Sequence, residues 1–437
     1  MKKNIFLIYI YLFFLSINGQ NNLSFTDACP CEPVTSIQAP PSIEKNIFMS
    51  QKINLKIPAL LHYSKLPFEH RGVSMAQWSP DGKWLSVQTK PVSRRIAYQL
   101  NLFYFPRHNG LTYKRFTIQD DKENTIFYSL RWSQKSQQQE FCALSGGFKL
   151  YWGFVRNDLK KVIVYPLSDS DINVTQPCWL RFQNEDYIAF LGGSSIYIGK
   201  LSKFASGKPR SFLQQWKVDL GTDRFDLHGV NYFQAYAGED GIQILICGYT
   251  KEGKHLFWAK LSQDMKKIVT LKKIDNGTFK LPEWNKDGSR ALIYKVKKVN
   301  QYSSAQELYL YLYTHNGSGN ILGGAPTIQN REKEPEHDYL GPTWEYFKIK
   351  GKVVEGSTLF FKQKEKEQRF MVVYFPSPNK LNYESVKIKM NDFPITFGRG
   401  RRMSFAGNNS HLVAFSFYNA AKLKQLLYLG LVNFRAK

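Results

Sequence analysis

A short motif that returns roughly every fifty residues limits what this chain can fold into. WSPDGKWLSV begins at Trp78 and WNKDGSRALIY at Trp284; each places a glycine four residues after the tryptophan and then runs into an apolar strand. SFAGNNSHLVAF fits the same frame, with Phe405 in the aromatic place and Asn409 in the glycine place. Asparagine tolerates the left-handed backbone of a tight turn, so the exchange is sensible. Looser copies begin at Trp132, Trp179, Phe233 and Trp344. The seven aromatic anchors are separated by 54, 47, 54, 51, 60 and 61 residues. A unit of that size cannot bury its own apolar faces, and stacking against neighbours is what covers them.

The segments between anchors read as strands. LNLFYF (100–105), IAFLGG (188–193), IQILICGY (242–249), ELYLYLYT (307–314) and HLVAFSF (411–417) are short, aromatic and β-branched, and Gly, Asn, Asp, Ser and Pro separate them. No stretch sustains the three-and-four spacing of a long helix. Regular strands at this period predict an all-β, seven-bladed β-propeller of four-stranded antiparallel blades. In that frame Trp78, Trp132, Trp179, Trp284 and Phe405 end innermost strands and pack between blades, and Asp81–Gly82 and Asp287–Gly288 make the turns that follow. Only two strands follow Phe405, so the last blade lacks its outer strand. The alternating segment KINLKIPALL (52–61) is expected to supply it and close the ring, with Ile53, Leu55 and Ile57 facing inward.

The turns WSPDGKWL and WNKDGSRAL resemble the WD40-like propeller repeat of the TolB type, across about residues 73–434. The resemblance implies a β-propeller and a binding or scaffolding role. TolB proteins carry an extra α/β domain before the propeller; residues 20–72 are too short for it, so the Tol–Pal role is not carried over.

The N-terminus reads as an address. Lys2 and Lys3 precede the apolar run IFLIYIYLFFL (5–15), and Ser16, Asn18 and Gly19 end it, which is the plan of a secretory signal peptide. The expected organisation is signal peptide 1–19, N-terminal arm 20–50 and propeller 51–437, in an exported protein of the periplasm or cell surface with no transmembrane segment after cleavage. The five cysteines, Cys29, Cys31, Cys142, Cys178 and Cys247, show no zinc spacing, and Cys142 and Cys247 sit in apolar runs that suggest buried thiols.

Chemistry is sparse in this sequence. SPDGKW (79–84) differs from a sialidase Asp-box because its glycine directly follows Asp81. Neither H-E-x-x-H nor G-x-S-x-G occurs, and no metal or cofactor is expected. Glu332, Glu334, Glu336, His337 and Asp338 gather in one segment without calcium-loop spacing, and read as an insertion between blades. The formal net charge of +25 is the stronger signal. His70, Arg71, Arg131, Asp226, His228, Arg399, Arg401 and Arg402 all lie in or near the connections leading into innermost strands, and are expected to line the channel mouth as an anion-attracting funnel. An acidic protein partner or an anionic cell-envelope polymer fits that charge, and no nucleic-acid-binding motif is present. The expected function is non-catalytic protein binding or scaffolding. The alternatives are a hydrolase or lyase acting on anionic polysaccharide at the channel mouth, and a carbohydrate-binding protein.

Overall fold

The structure is a computed structural model. It describes residues 49–50, 59–70, 72–90, 99–105, 114–118, 127–133, 139–145, 148–155, 162–167, 172–205, 208–298, 306–314, 320–321, 328–330, 342–349, 352–362, 368–375, 384–389, 400–406, 412–419 and 424–434. The signal-like segment, Cys29, Cys31, Arg71, Arg399 and the acidic cluster around His337 lie outside these residues.

Among the described residues the strands form seven antiparallel sheets. Six follow one another in simple up-and-down order. The first is Gly72–Trp78, Trp84–Lys90, Gln99–Tyr104 and Lys114–Thr117. The second is Phe127–Trp132, Glu140–Ser145, Leu150–Val155 and Val162–Pro166. The third is Val174–Phe182, Glu185–Gly192, Ser195–Leu201 and Phe212–Lys217. The fourth is Gly229–Gly238, Gly241–Thr250, Gly253–Leu261 and Ile268–Asn276. The fifth has Thr278–Trp284, Arg290–Lys298 and Gln306–Thr314, with Asn320–Ile321 and Ile328–Asn330 both on the last of these. The sixth is Glu345–Ile349, Lys352–Lys362, Gln368–Phe375 and Glu384–Lys389.

The seventh sheet joins the two ends of the chain. Gly400–Phe405, Leu412–Asn419 and Lys424–Phe434 come from the C-terminal side, and Ala59–His70 pairs along Lys424–Phe434. Met49–Ser50 adds a further short pairing outside Ala59–His70. The pairing strand therefore runs 59–70, not 52–61, and Ile53, Leu55 and Ile57 lie outside the described residues. Proline is poor in a strand, and Pro67 lies inside this one. Here it falls in the register shift between Lys65 and Glu69, where no ladder partner is required of it. The first strand of this sheet, Gly400–Phe405, packs on the sixth sheet on one side and on Gly72–Trp78 of the first sheet on the other.

Each apolar cluster fills a seam between consecutive sheets. One joins Trp84, Leu100 and Leu102 of the first sheet to Phe127, Phe141 and Tyr151 of the second. The next joins Cys142, Leu144 and Trp152 of the second to Ile188 and Phe190 of the third. Phe141 and Cys142 are adjacent, yet they feed different seams, because successive side chains of a strand point to opposite faces. Covering on both faces explains why Glu140–Ser145 and Leu150–Val155 are buried at every position, and why 141–144 and 150–155 carry no charged residue.

The motif turn is built identically in its two sharp copies. Ser79 Oγ accepts from Trp84 N–H, Asp81 Oδ1 accepts from Lys83 N–H, and Gly82 N–H donates to the Ser79 carbonyl. Asn285 Oδ1 accepts from Arg290 N–H, Asp287 Oδ1 from Ser289 N–H, and Gly288 N–H donates to the Asn285 carbonyl. Gly82 and Gly288 have φ of 68° and 72°. A Cβ at Gly82 would lie 3.0 Å from the Ala406 carbonyl oxygen of the seventh sheet, and one at Gly288 would run into the Tyr236 ring of the fourth. The glycine thus serves both the turn and the close approach of the preceding sheet.

Two outcomes follow from this architecture. Gly288→Ala should lower stability by about 1–3 kcal/mol in urea unfolding, from the left-handed backbone and the displaced Tyr236 ring. A chain that begins at Gly72 leaves Lys424–Phe434 without its partner strand, and size-exclusion chromatography should show association through that edge.

Candidate functional site

Six of the seven first strands carry a β-bulge in their pairing to the second strand, set back from the strand end. Each accommodates one extra residue, which bends the strand and re-aims its side chains. The irregular stretches contain Ser74, Ser129, Gln176–Pro177, Asn231, Leu281–Pro282 and Arg401–Arg402. In the third sheet Gln176, at φ 51°, donates from Nε2 to the Asn231 carbonyl (2.9 Å) and accepts from Phe233 N–H (3.2 Å). Gly229–Gly238 is an edge strand of the fourth sheet, and a side chain of the neighbouring sheet bonds these two backbone groups along it.

Neighbouring first strands are tied further along by indoles. Trp179 Nε1–H donates to the Arg131 carbonyl (3.0 Å), Trp284 Nε1–H to the Gln234 carbonyl (3.1 Å), and Trp344 Nε1–H to the Glu283 carbonyl (2.8 Å). Early residues of one strand meet early residues of the next, and late residues meet late ones, so these strands run in the same sense. The anchors vary in their place: Trp78, Trp132, Trp284 and Phe405 end their strands, Trp179 and Phe233 lie within theirs, and Trp344 stands one residue before Glu345–Ile349.

The residue just before an anchor points away from the seam that the anchor fills. At that place stand Gln77, Arg131, Cys178 and Glu283. Arg131 of the second sheet and Glu283 of the fifth form an ion pair, Nη1 to Oε2 at 3.7 Å, although two whole sheets separate them in the chain. Cys178 of the third sheet lies within the field of both. Burial pushes its thiol up to about 11, the hydrogen bond to the Ala235 carbonyl acts in the opposite direction, and the Glu283 carboxylate adds to the rise. Burial likewise pushes the thiols of Cys142 and Cys247 far above their ordinary value. These three sulfurs are reduced, and as buried thiols they are poor nucleophiles.

The residues singled out by the sequence are distributed as follows. Arg131 is the fifth residue of Phe127–Trp132, at the far end of its strand. Asp226 and His228 precede Gly229–Gly238, at the other end of the first strands, and bond to each other (Oδ1 to Nε2, 2.8 Å). Despite the opposing desolvation, Lys251 N–H and the His228 ring hold the Asp226 carboxyl below its ordinary value. His70 ends Ala59–His70 opposite Gln425. Arg401 and Arg402 occupy the bulge of the seventh sheet. The structure therefore brings Asp226 to His228 and Arg131 to Glu283, and it sets these two pairs at opposite ends of the first strands. Glu283, Cys178 and Gln176 escaped the sequence reading. Their signal was the place directly before an anchor, or three before it, a register visible only once the anchors are aligned.

Among the described residues no group of three or more His, Cys, Asp or Glu side chains is arranged to hold a metal ion, and no helix is long and apolar enough to cross a membrane.

Separating the ring from its indole N–H tests the ties between strands. Trp284→Phe should cost about 1 kcal/mol for the lost bond to the Gln234 carbonyl. Trp284→Ala should cost about 3–5 kcal/mol, because the seam is also left with a cavity. Urea unfolding of both variants gives the comparison.

No protein-family model matches the chain, and no curated protein matches it. Among solved structures it is similar to the WD40 domain of SCAP from fission yeast, at 11% identity and a TM-score of 0.40, over 86% of this chain and 98% of that one. It is also similar to the Dos1 propeller, at 10% identity and a TM-score of 0.42, over 84% and 93%. The Cps50 (Swd1) β-propeller domain of Myceliophteria thermophila is similar at 8% identity and a TM-score of 0.45, over 86% and 99%.

Proposed function

We propose that the chain is an exported β-propeller of seven blades, closed into a ring by Ala59–His70, that works as a non-catalytic protein-binding or scaffolding module in the periplasm or at the cell surface. The observation that carries this reading is the Arg131–Glu283 contact. First strands three sheets apart along the chain reach one another only if they surround a common interior, as blades around an axis do. Such a ring presents its strand connections on two faces, and broad loop faces on a rigid frame suit partner contacts. The SPDGK turn supports a repeat of the TolB type. Export rests on the basic and apolar plan of residues 1–19, and an acidic partner on the net charge of +25.

Two measurements test the reading. N-terminal sequencing of the protein from its native host should begin near Gln20, in the envelope or the medium. In-cell crosslinking followed by purification should recover a protein partner in constant proportion. Turnover of anionic polysaccharide by the purified protein, with no partner recovered, would contradict the proposal.

A further inference from the structure

The axial end marked by Arg131 is chemically incomplete. The only described partner of the Arg131 guanidinium is Glu283, at 3.7 Å, which is an ion pair too long for a hydrogen bond, and the Arg131 side chain keeps a quarter of its exposure. Glu283 is itself more enclosed, at 14% exposure. In the neighbouring first sheet the same register holds Gln77, whose Oε1 is buried without a hydrogen-bond partner. A loosely held cation with donors to spare and an unsatisfied acceptor therefore share one register of adjacent first strands. Further along the axis the backbone places Arg401–Arg402 in a bulge of the first strand of the seventh sheet.

We infer that this end of the axis is a docking site for an acidic peptide segment of a protein partner, with Glu283 as an internal carboxylate that holds Arg131 in place until the partner's carboxylate replaces it. The inference deepens the proposed binding role and rests on it. A carboxylate suits the planar guanidinium, which offers paired donors. Gln77 Oε1 is buried and has to turn outward to meet a donor, and a peptide backbone brings N–H groups beside its carboxylates, which a simple anion does not. The exchange of one carboxylate for another keeps Arg131 neutralised in both states, but it releases Glu283, at 14% exposure, from its cation, a cost that the partner's other contacts must offset. Because Glu283 competes for the same guanidinium, the affinity is set by the difference between two similar ion pairs, and the partner must add contacts of its own to win.

Fluorescence anisotropy with a labelled octaglutamate peptide at low and moderate salt tests this on the purified full chain. The wild type should bind, more weakly as salt rises. Arg131→Gln should weaken binding about tenfold or more, the loss expected when one member of a charged contact is removed. Glu283→Gln should strengthen it several-fold, because the internal competitor is gone. Lys266→Gln with Lys267→Gln, on an exposed turn of the fourth sheet, should leave it within about twofold. If Arg131→Gln fails to fold, the gain in Glu283→Gln still decides the matter. Absence of wild-type binding, equal affinity in Arg131→Gln, no gain in Glu283→Gln, or Arg131-dependent binding of polygalacturonate in place of the peptide would each overturn the inference. Recovery of a partner by crosslinking is a separate readout, so the broader binding role can survive the loss of this site.

Discussion

A four-stranded sheet that is apolar on both faces has to be covered twice, and this requirement shapes the whole molecule. The second sheet shows it most plainly: Phe141 and Ala143 belong to the seam with the first sheet, and Cys142 and Leu144 to the seam with the third. No such sheet is stable alone, so stability is shared among neighbours and the repeat must continue. The chain end poses the same problem, since the last sheet receives only three strands from the C-terminal side. Ala59–His70 answers it by pairing with Lys424–Phe434, which joins the two ends of the described chain in one sheet.

Close stacking needs polar groups to be satisfied along the seams, and the structure does this locally and repeatedly. The indoles of Trp179, Trp284 and Trp344 each reach a backbone carbonyl of the preceding sheet. Gln176 serves the bulge of the following one. Farther out, buried Arg210 binds Glu140 of the second sheet and Asp186 of the third, while Arg290 binds Glu355 of the sixth and lies over the Trp344 and Phe375 rings at 5.4 and 4.9 Å. Buried ion pairs of this kind add less net stability than apolar contacts, but removing one partner leaves a charge stranded. They fix which sheet meets which.

Much of this was legible in the sequence, and the failures have physical causes. Every anchor falls in or beside the first strand of a sheet, and the rings of Trp132, Trp179, Phe233 and Trp284 fill seams there. The glycine four residues on was legible too, and its second reason, the approach of Ala406 or Tyr236 from the preceding sheet, was not. The same turn also occurs where no anchor marks it. At Ser262–Lys267 the Ser262 hydroxyl and Asp264 carboxylate accept the same backbone N–H groups, with Met265 at φ 59° in the glycine place. Without a glycine that copy was invisible. The alternation at 52–61 set the expected outer strand of the seventh sheet too early, since alternation alone does not show where pairing begins. Arg131 was legible as a charged residue beside an anchor. Its partner was not, since nothing in a linear sequence says that residue 283 faces residue 131 across two intervening sheets.

That facing is also where the account is most exposed. Replacing Arg131 with the photoreactive p-benzoylphenylalanine and mapping the crosslinks by mass spectrometry would test it directly. If first strands surround a common interior, crosslinks should join position 131 to the segment Thr278–Trp284 of the same molecule. Crosslinks confined to the second sheet and its immediate neighbours would contradict the arrangement and the axial site with it.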